Sequence, residues 1–194
     1  MNYGELKAHI RDLGFSDDNE ITEFGEVITN SINRAIEEIN LSVAPIVDTV
    51  IIEQTGDTDG LIYYDIAEKA ELEDKIFLEF ADVPVMIGDT TYKRFNDFEI
   101  ENESTLVIDG NVEGKLKVFY KKAHKPISEA TADTTEIELP RKAHHMLPYL
   151  AGYYIWYEDE QVKAVNCYNR FEMLKGEYLS KKSQPKIKIL SGGI

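Results

Sequence analysis

Asp57-Thr58-Asp59-Gly60 sets two carboxylates one residue apart ahead of a glycine, the opening of a loop that binds calcium through oxygen ligands. A complete loop of that kind needs further oxygen ligands and a glutamate at its twelfth position. Glu68 falls there, but Tyr63, Tyr64 and Asp65 between them read as strand, and Asp-Gly turn chemistry accounts for the four residues. His144-His145 is the other candidate metal pair. Adjacent helical side chains point about 100° apart, so the two do not readily chelate one ion. With four histidines in all and no Cys or His pair at ligand spacing, a structural role is expected, with His144 partly buried. Cys167 lies among helical aromatics and reads as a small core hydrophobe. Carboxylates abound without one pair standing out, and the Tyr63-Tyr64 and Tyr153-Tyr154 neighbours suit a core better than a sugar or base platform. Neither a nucleophile–base pair nor a phosphate loop is present, so no catalysis, cofactor or metal is expected.

What must hold these residues is a chain of 194 residues, enough for one domain or one domain with a sizeable insertion. No apolar run reaches the roughly 18 residues of a membrane span. The first residues lack the basic and apolar regions of a secretory signal, and the lone cysteine fits a reducing compartment. The net charge of −15 is unevenly spread: residues 1–110 carry 26 acidic and 7 basic side chains, residues 111–194 carry 10 and 14. An acidic body argues against gripping DNA phosphates and suits self-association with the basic end of a neighbour.

Leu6, Ile10 and Leu13 predict a short helix ended by Gly14, and Ser16-Asp17-Asp18-Asn19 offers caps for the next. Phe24, Val27, Ile28, Ser31, Ile32, Ala35, Ile36 and Ile39 then form one apolar stripe, bounded by Pro45. From Val47 the period changes to two. Strands are expected at Val47–Glu53, Leu61–Ile66, Lys75–Phe80, Val85–Ile87, Thr91–Arg94, Phe98–Glu101, Thr105–Ile108 and Lys115–Lys121. Leu139–Leu179 returns to helix, with an acidic turn at Glu158-Asp159-Glu160. It holds six of the eleven tyrosines and the only tryptophan, which is core-building material. The fold expected is α+β: a four-helix core from both chain ends with an inserted antiparallel sandwich or barrel-like domain. Its parts are N-terminal helices in 1–46, a β insertion in 47–134, a helical hairpin in 135–182 and an extended arm in 183–194. The bundle core is expected from Phe24, Ile28, Ile32, Ile36, Leu147, Tyr154, Trp156, Tyr168 and Phe171. In the arm, Lys186, Ile187, Lys188, Ile189 and Leu190 alternate like a strand and are the expected docking element.

The Leu139-Pro140 start, Ala143-His144-x-x-Leu147, the Ala151-x-Tyr153-x-x-Trp156 helix, the acidic turn and the Ala164-x-x-x-Tyr168-x-x-Phe171 helix resemble the C-terminal hairpin of tailed-phage head–tail connector (adaptor) proteins. Tyr3-Gly4-Glu5-Leu6 and Ile32-Asn33-x-Ala35-Ile36-x-Glu38-Ile39 resemble that family's N-terminal start. The resemblance implies a virion protein, made in the host cytoplasm, that forms a ring between portal and tail. It implies twelvefold symmetry on the portal, with a monomer in solution allowed, and portal, tail or stopper proteins and further copies as partners. DNA passes through without specific binding, and an acidic channel wall would keep it from sticking. Alternatives are a stopper or tail-completion ring protein, or a tail-associated carbohydrate-binding or hydrolytic β domain.

Overall fold

The computed structural model describes residues 1–15 and 24–182. Five helices and two antiparallel sheets are divided between two compact units, one built from Met1–Ala44 with the chain from Pro126 on, the other from Pro45–Lys125.

In the first unit α1 spans Tyr3–Arg11, α2 Gly25–Ser42, α4 Leu147–Trp156 and α5 Gln161–Lys182. Asn2 starts α1 with a capping box: its Oδ1 accepts from Glu5 N at 2.8 Å, and Asn2 N donates to Glu5 Oε2 at 3.0 Å. Leu6 and Ile10 face inward, as their spacing requires. Helix α2 buries Ile28, Ile32, Ala35, Ile36 and Ile39 but leaves Val27 45% exposed, so the stripe is narrower than expected. The cap of α2 is Phe24, without a side-chain hydrogen bond, and the polar cluster at 16–19 lies outside the described residues. The expected continuous helix from Leu139 is instead a single 3-10 turn at Arg141–Ala143 followed by α4. Pro148 has no N–H to donate and fits only the first turn of a helix, which fixes the start of α4 there.

Helix α4 packs on α1, α2 and α5. The close approach of α5 depends on Gly152, because a Cβ there would stand 3.1 Å from both Cys167 Sγ and Leu13 Cδ1. Residues 126–134, expected in the β insertion, belong to this unit. Asn33 donates from Nδ2 to the Ile127 carbonyl and accepts from the Ile127 N–H, both at 2.8 Å, while Tyr3 N and Gly4 N donate to the Thr135 and Asp133 carbonyls at 2.9 Å. These bonds hold an irregular segment that turns at Ser128–Thr131 and Ala132–Thr135, and no local periodicity signals them.

The second unit contains β1 (Val47–Thr55), β2 (Leu61–Asp65), α3 (Ile66–Glu71), β3 (Phe77–Ile87), β4 (Tyr92–Arg94), β5 (Phe98–Glu101), β6 (Thr105–Asp109) and β7 (Glu113–Lys122). One sheet has the order β1-β7-β3-β4 and the other β2-β6-β5, so there is no closed barrel. Two expected strands fuse into β3, whose pairing with β7 shifts register three times between Phe77 and Val85, the last time across Pro84, where a ladder N–H is missing. Helix α3 was not expected. Asp65 Oδ1 caps it by accepting from Ala67 N and Glu68 N, and Ala-Glu-Lys-Ala-Glu is a strong helical run too short to show a period. The sheets share one core: Val50, Ile52, Leu116, Val118 and Tyr120 from the first meet Leu106 and Ile108 from the second, with Ile66 and Ala70 of α3. At the base of this unit Lys122 N donates to the Ile46 carbonyl at 3.0 Å, so its two ends lie side by side.

Candidate functional site

Most of the residues expected in a bundle core are buried. Ile28, Ile32, Ile36, Leu147, Trp156 and Phe171 are buried, and Phe24 is half-buried with its ring 6.0 Å from Phe15. Phe15, outside the α2 stripe, packs tilted against Trp156 with ring centroids 4.8 Å apart. Tyr154 is half-buried and links α4 to α2: its hydroxyl donates to Glu38, and the Arg34 guanidinium sits 4.1 Å above its ring. Burial first, and the Glu38 carboxylate second, push its hydroxyl up to about 12. Tyr168 departs from the expectation at 39% exposed. It sits one position off the α5 stripe of Ala164, Cys167 and Phe171, and its ring closes the outer end of an aromatic row with Tyr153 at 4.9 Å.

His144 is buried, with Nε2 2.7 Å from the Leu139 carbonyl and Nδ1 3.1 Å from the Met1 α-amino group. An ammonium can only donate, so Nδ1 accepts and Nε2–H donates to Leu139, the arrangement of a neutral imidazole. Burial pulls its pKa below the ordinary histidine value, and the nearby ammonium adds to the effect. His145 is exposed, and the two rings do not share a partner. Cys167 is buried and its thiol is pushed up by burial, the opposite of an activated thiolate.

Asp57 lies in the β1–β2 loop, where its Oδ1 accepts from the Thr55 hydroxyl. Gly56 and Gly60 take positive φ values of 75° and 92°, and Gly60 O accepts from Gly110 N at 2.7 Å. Glu68 is in the first turn of α3, beyond the far end of the five-residue β2. At about 3.3 Å per strand residue this is roughly 16 Å away, too far for one calcium loop. Among other carboxylates, burial of Asp48 is outweighed by Thr49 N–H and Lys75, and the Lys125 ammonium acts on Asp74. Both are held below the usual range, contrary to what a general acid requires.

Two hollows open on the helical unit. One, of about 860 Å³, is lined by Glu5, Asp12, Arg141, His145, Tyr149 and Arg170 among others, and so presents both signs of charge. The other, of about 420 Å³, runs beside Arg34, Tyr153, Tyr154 and Tyr157. Neither gathers a nucleophile with a base. The expected docking residues Lys186, Ile187, Lys188, Ile189 and Leu190 lie outside the described residues. No described helix is long and apolar enough to cross a membrane. No family model matches the chain, and no curated protein is significantly similar to it.

Proposed function

We propose that this chain is a structural virion protein of a tailed bacteriophage that forms a ring between portal and tail, extends the DNA channel and docks the tail. One observation carries the reading: the residues that bear the resemblance to connector adaptors are the ones that lock the two chain ends together. Tyr3, Leu139, Ala143, Leu147 and Trp156 are buried, and His144 joins the N-terminal residue to the turn before α4. They make a frame and no reaction centre. On this reading α1, α2, α4 and α5 act as a four-helix core, and the β unit is a sandwich-like insertion in the chain between α2 and α4. The large apolar side chains left exposed on α5, Val162 at 77% and Val165 at 55%, are surface for neighbouring subunits. Portal and tail proteins are the partners, and the acidic surface lets DNA slide past without sticking.

The arm from Ser183 on is the docking element, with Lys186 and Lys188 for an acidic partner surface and Ile187, Ile189 and Leu190 for an apolar one. The test mixes purified chain with portal-bearing, tail-less heads and follows co-sedimentation. Full-length protein is expected to travel with the heads, whereas a chain ending at Ser183 folds normally by circular dichroism but stays behind. Equal binding by both chains removes the arm from the proposal, and no binding by either removes the adaptor role.

A further inference from the structure

The two sheets of the β unit turn opposite kinds of surface away from their shared core. On the first sheet, the register of β7 with β1 and β3 puts Lys115, Lys117, Phe119 and Lys121 on the outer face, and Tyr92 and Arg94 of β4 join them. Lys115 pairs with Glu53 at 3.1 Å, Lys121 with Glu79, and Arg94 with Asp82 at 3.7 Å. Lys117 at the centre has no carboxylate partner among the described residues. Its ammonium sits 5.9 Å from the Tyr92 ring and 5.6 Å from the Phe119 ring. Tyr92 is 66% exposed, and Ile51, opposite Lys117 on β1, is 59% exposed.

The outer face of the second sheet is the complement. Leu61 and Tyr63 are exposed on β2, and Asp65, Asp109, Glu99 and Glu101 surround them across the register of β2, β6 and β5. None of these four carboxylates pairs with a cation among the described residues. Each face therefore joins exposed apolar side chains to charge of one sign. On the first this is unpaired Lys117 at the middle. On the second it is Asp65, Asp109, Glu99 and Glu101 around the buried Val107, with Asp65 also capping α3 and Asp109 accepting from Asn111. A single face of this kind could suit many partners. Two complementary faces, on the two outer sides of one unit, suit a second copy of the same chain.

We propose that the β units of neighbouring copies stack face to back. The cationic–aromatic face of β7 and β4 on one copy covers the acidic face of β2, β6 and β5 on the next, with Lys117 placed against Glu99 and Glu101 and Ile51, beside it on β1, against Leu61 and Tyr63 on β2. The contact is heterologous, so every open stack keeps one free face of each kind at its ends and growth does not stop at two. The inference rests on the ring assembly proposed above and names the surfaces that would build it. It also relocates the basic end seen in the sequence, because Lys115, Lys117, Lys121, Lys122 and Lys125 belong to the β unit.

Sedimentation of the purified full chain at low salt and rising concentration tests the stacking without any portal. Expected is a mass that keeps rising beyond two copies and falls back as salt screens the contact. Lys117→Glu, and separately Glu99→Lys with Glu101→Lys, each weaken association at least about tenfold, while thermal melts show the variants folded. A chain carrying all three changes regains association, because both faces are reversed together, and an equimolar mixture of the two singly reversed chains associates too. Three results overturn the proposal: association indifferent to these changes, a mass that saturates at two copies, or no association at millimolar concentration. Lys117-dependent retention on single-stranded DNA without self-association also overturns it, assigning the face to nucleic acid. Head co-sedimentation of the same variants separates the two readings. Wild-type chain that stacks but ignores heads leaves the stacking standing without the adaptor role. A Lys117→Glu chain that does not stack, yet binds heads as well as wild type, does the reverse.

Discussion

The helical unit and the β unit place their aromatic side chains differently. In the first, Phe15, Trp156 and Phe171 are buried, and Tyr154 is tied to Glu38 and Arg34, so the rings hold the chain ends to each other. In the second, Phe95 and Tyr120 are buried with Tyr64, Phe77, Phe80 and Phe98 packed against their core, while Tyr63 and Tyr92 stand more than half exposed on the two outer faces. By sequence the β unit carries 18 acidic and 9 basic side chains, the helical unit 18 and 12, so the β unit has the greater net charge in fewer residues. Apolar surface kept exposed on a highly charged unit is costly unless something covers it, whereas the helical unit closes much of its own.

Removing the β unit is the largest perturbation that the contrast allows. Because Lys122 N and the Ile46 carbonyl are hydrogen-bonded, a short Gly/Ser linker can replace the residues between them without stretching the chain. The shortened protein is expected to keep a cooperative helical melt by circular dichroism, and its loss would show that the helical unit depends on its insertion. Within the helical unit, Phe171→Ala is expected to cost about 3–5 kcal/mol in chemical denaturation, since the ring is fully buried. Tyr168→Ala, three residues earlier and 39% exposed, should cost about 1 kcal/mol, and equal costs would erase the distinction between stripe and rim. In the β core the Tyr120 hydroxyl is buried with no hydrogen-bond partner among the described residues. Tyr120→Phe is therefore expected to be neutral or to stabilise by about 1 kcal/mol, and a marked loss would mean that the hydroxyl is satisfied after all.

The smallest effect is a pH dependence set by His144. Its folded pKa is lowered, so between that value and the ordinary one near 6.5 the unfolded chain binds the extra proton. The contribution to stability is complete above about pH 6.5 and is lost as pH falls through the folded value. His144→Gln should flatten the stability profile on that acid side, and an unchanged slope would assign it to other groups.

The sequence signals these differences unevenly. The α2 stripe and most strands are legible because their periods are local: Lys115-Leu116-Lys117-Val118 announces a two-sided strand by alternation alone. What the outer lysines face depends on register with β1, β3 and β4, residues tens of positions away, and no local period encodes it. Helix α3 escapes notice because six residues are fewer than two turns, so its cap and propensity were the only available signals. Ala123–Asp133 reads as a loop leading back to the helices, and a loop carries no signal for the unit it packs on; residues 126–134 belong to the helical unit through bonds to Asn33, tens of positions away. Tyr168 was misjudged by a single position on α5, where the buried stripe is one residue wide and Ala164, Cys167 and Phe171 already fill it.

Cryo-electron microscopy of portal-bearing heads incubated with the full chain addresses the ring proposal most directly. Expected is a closed ring beneath the portal, each subunit fitting the helical unit, with β units of adjacent copies in face-to-back contact through Lys117 and Glu99. A portal vertex that stays bare at saturating protein, or bound chain found only elsewhere on the head, contradicts it.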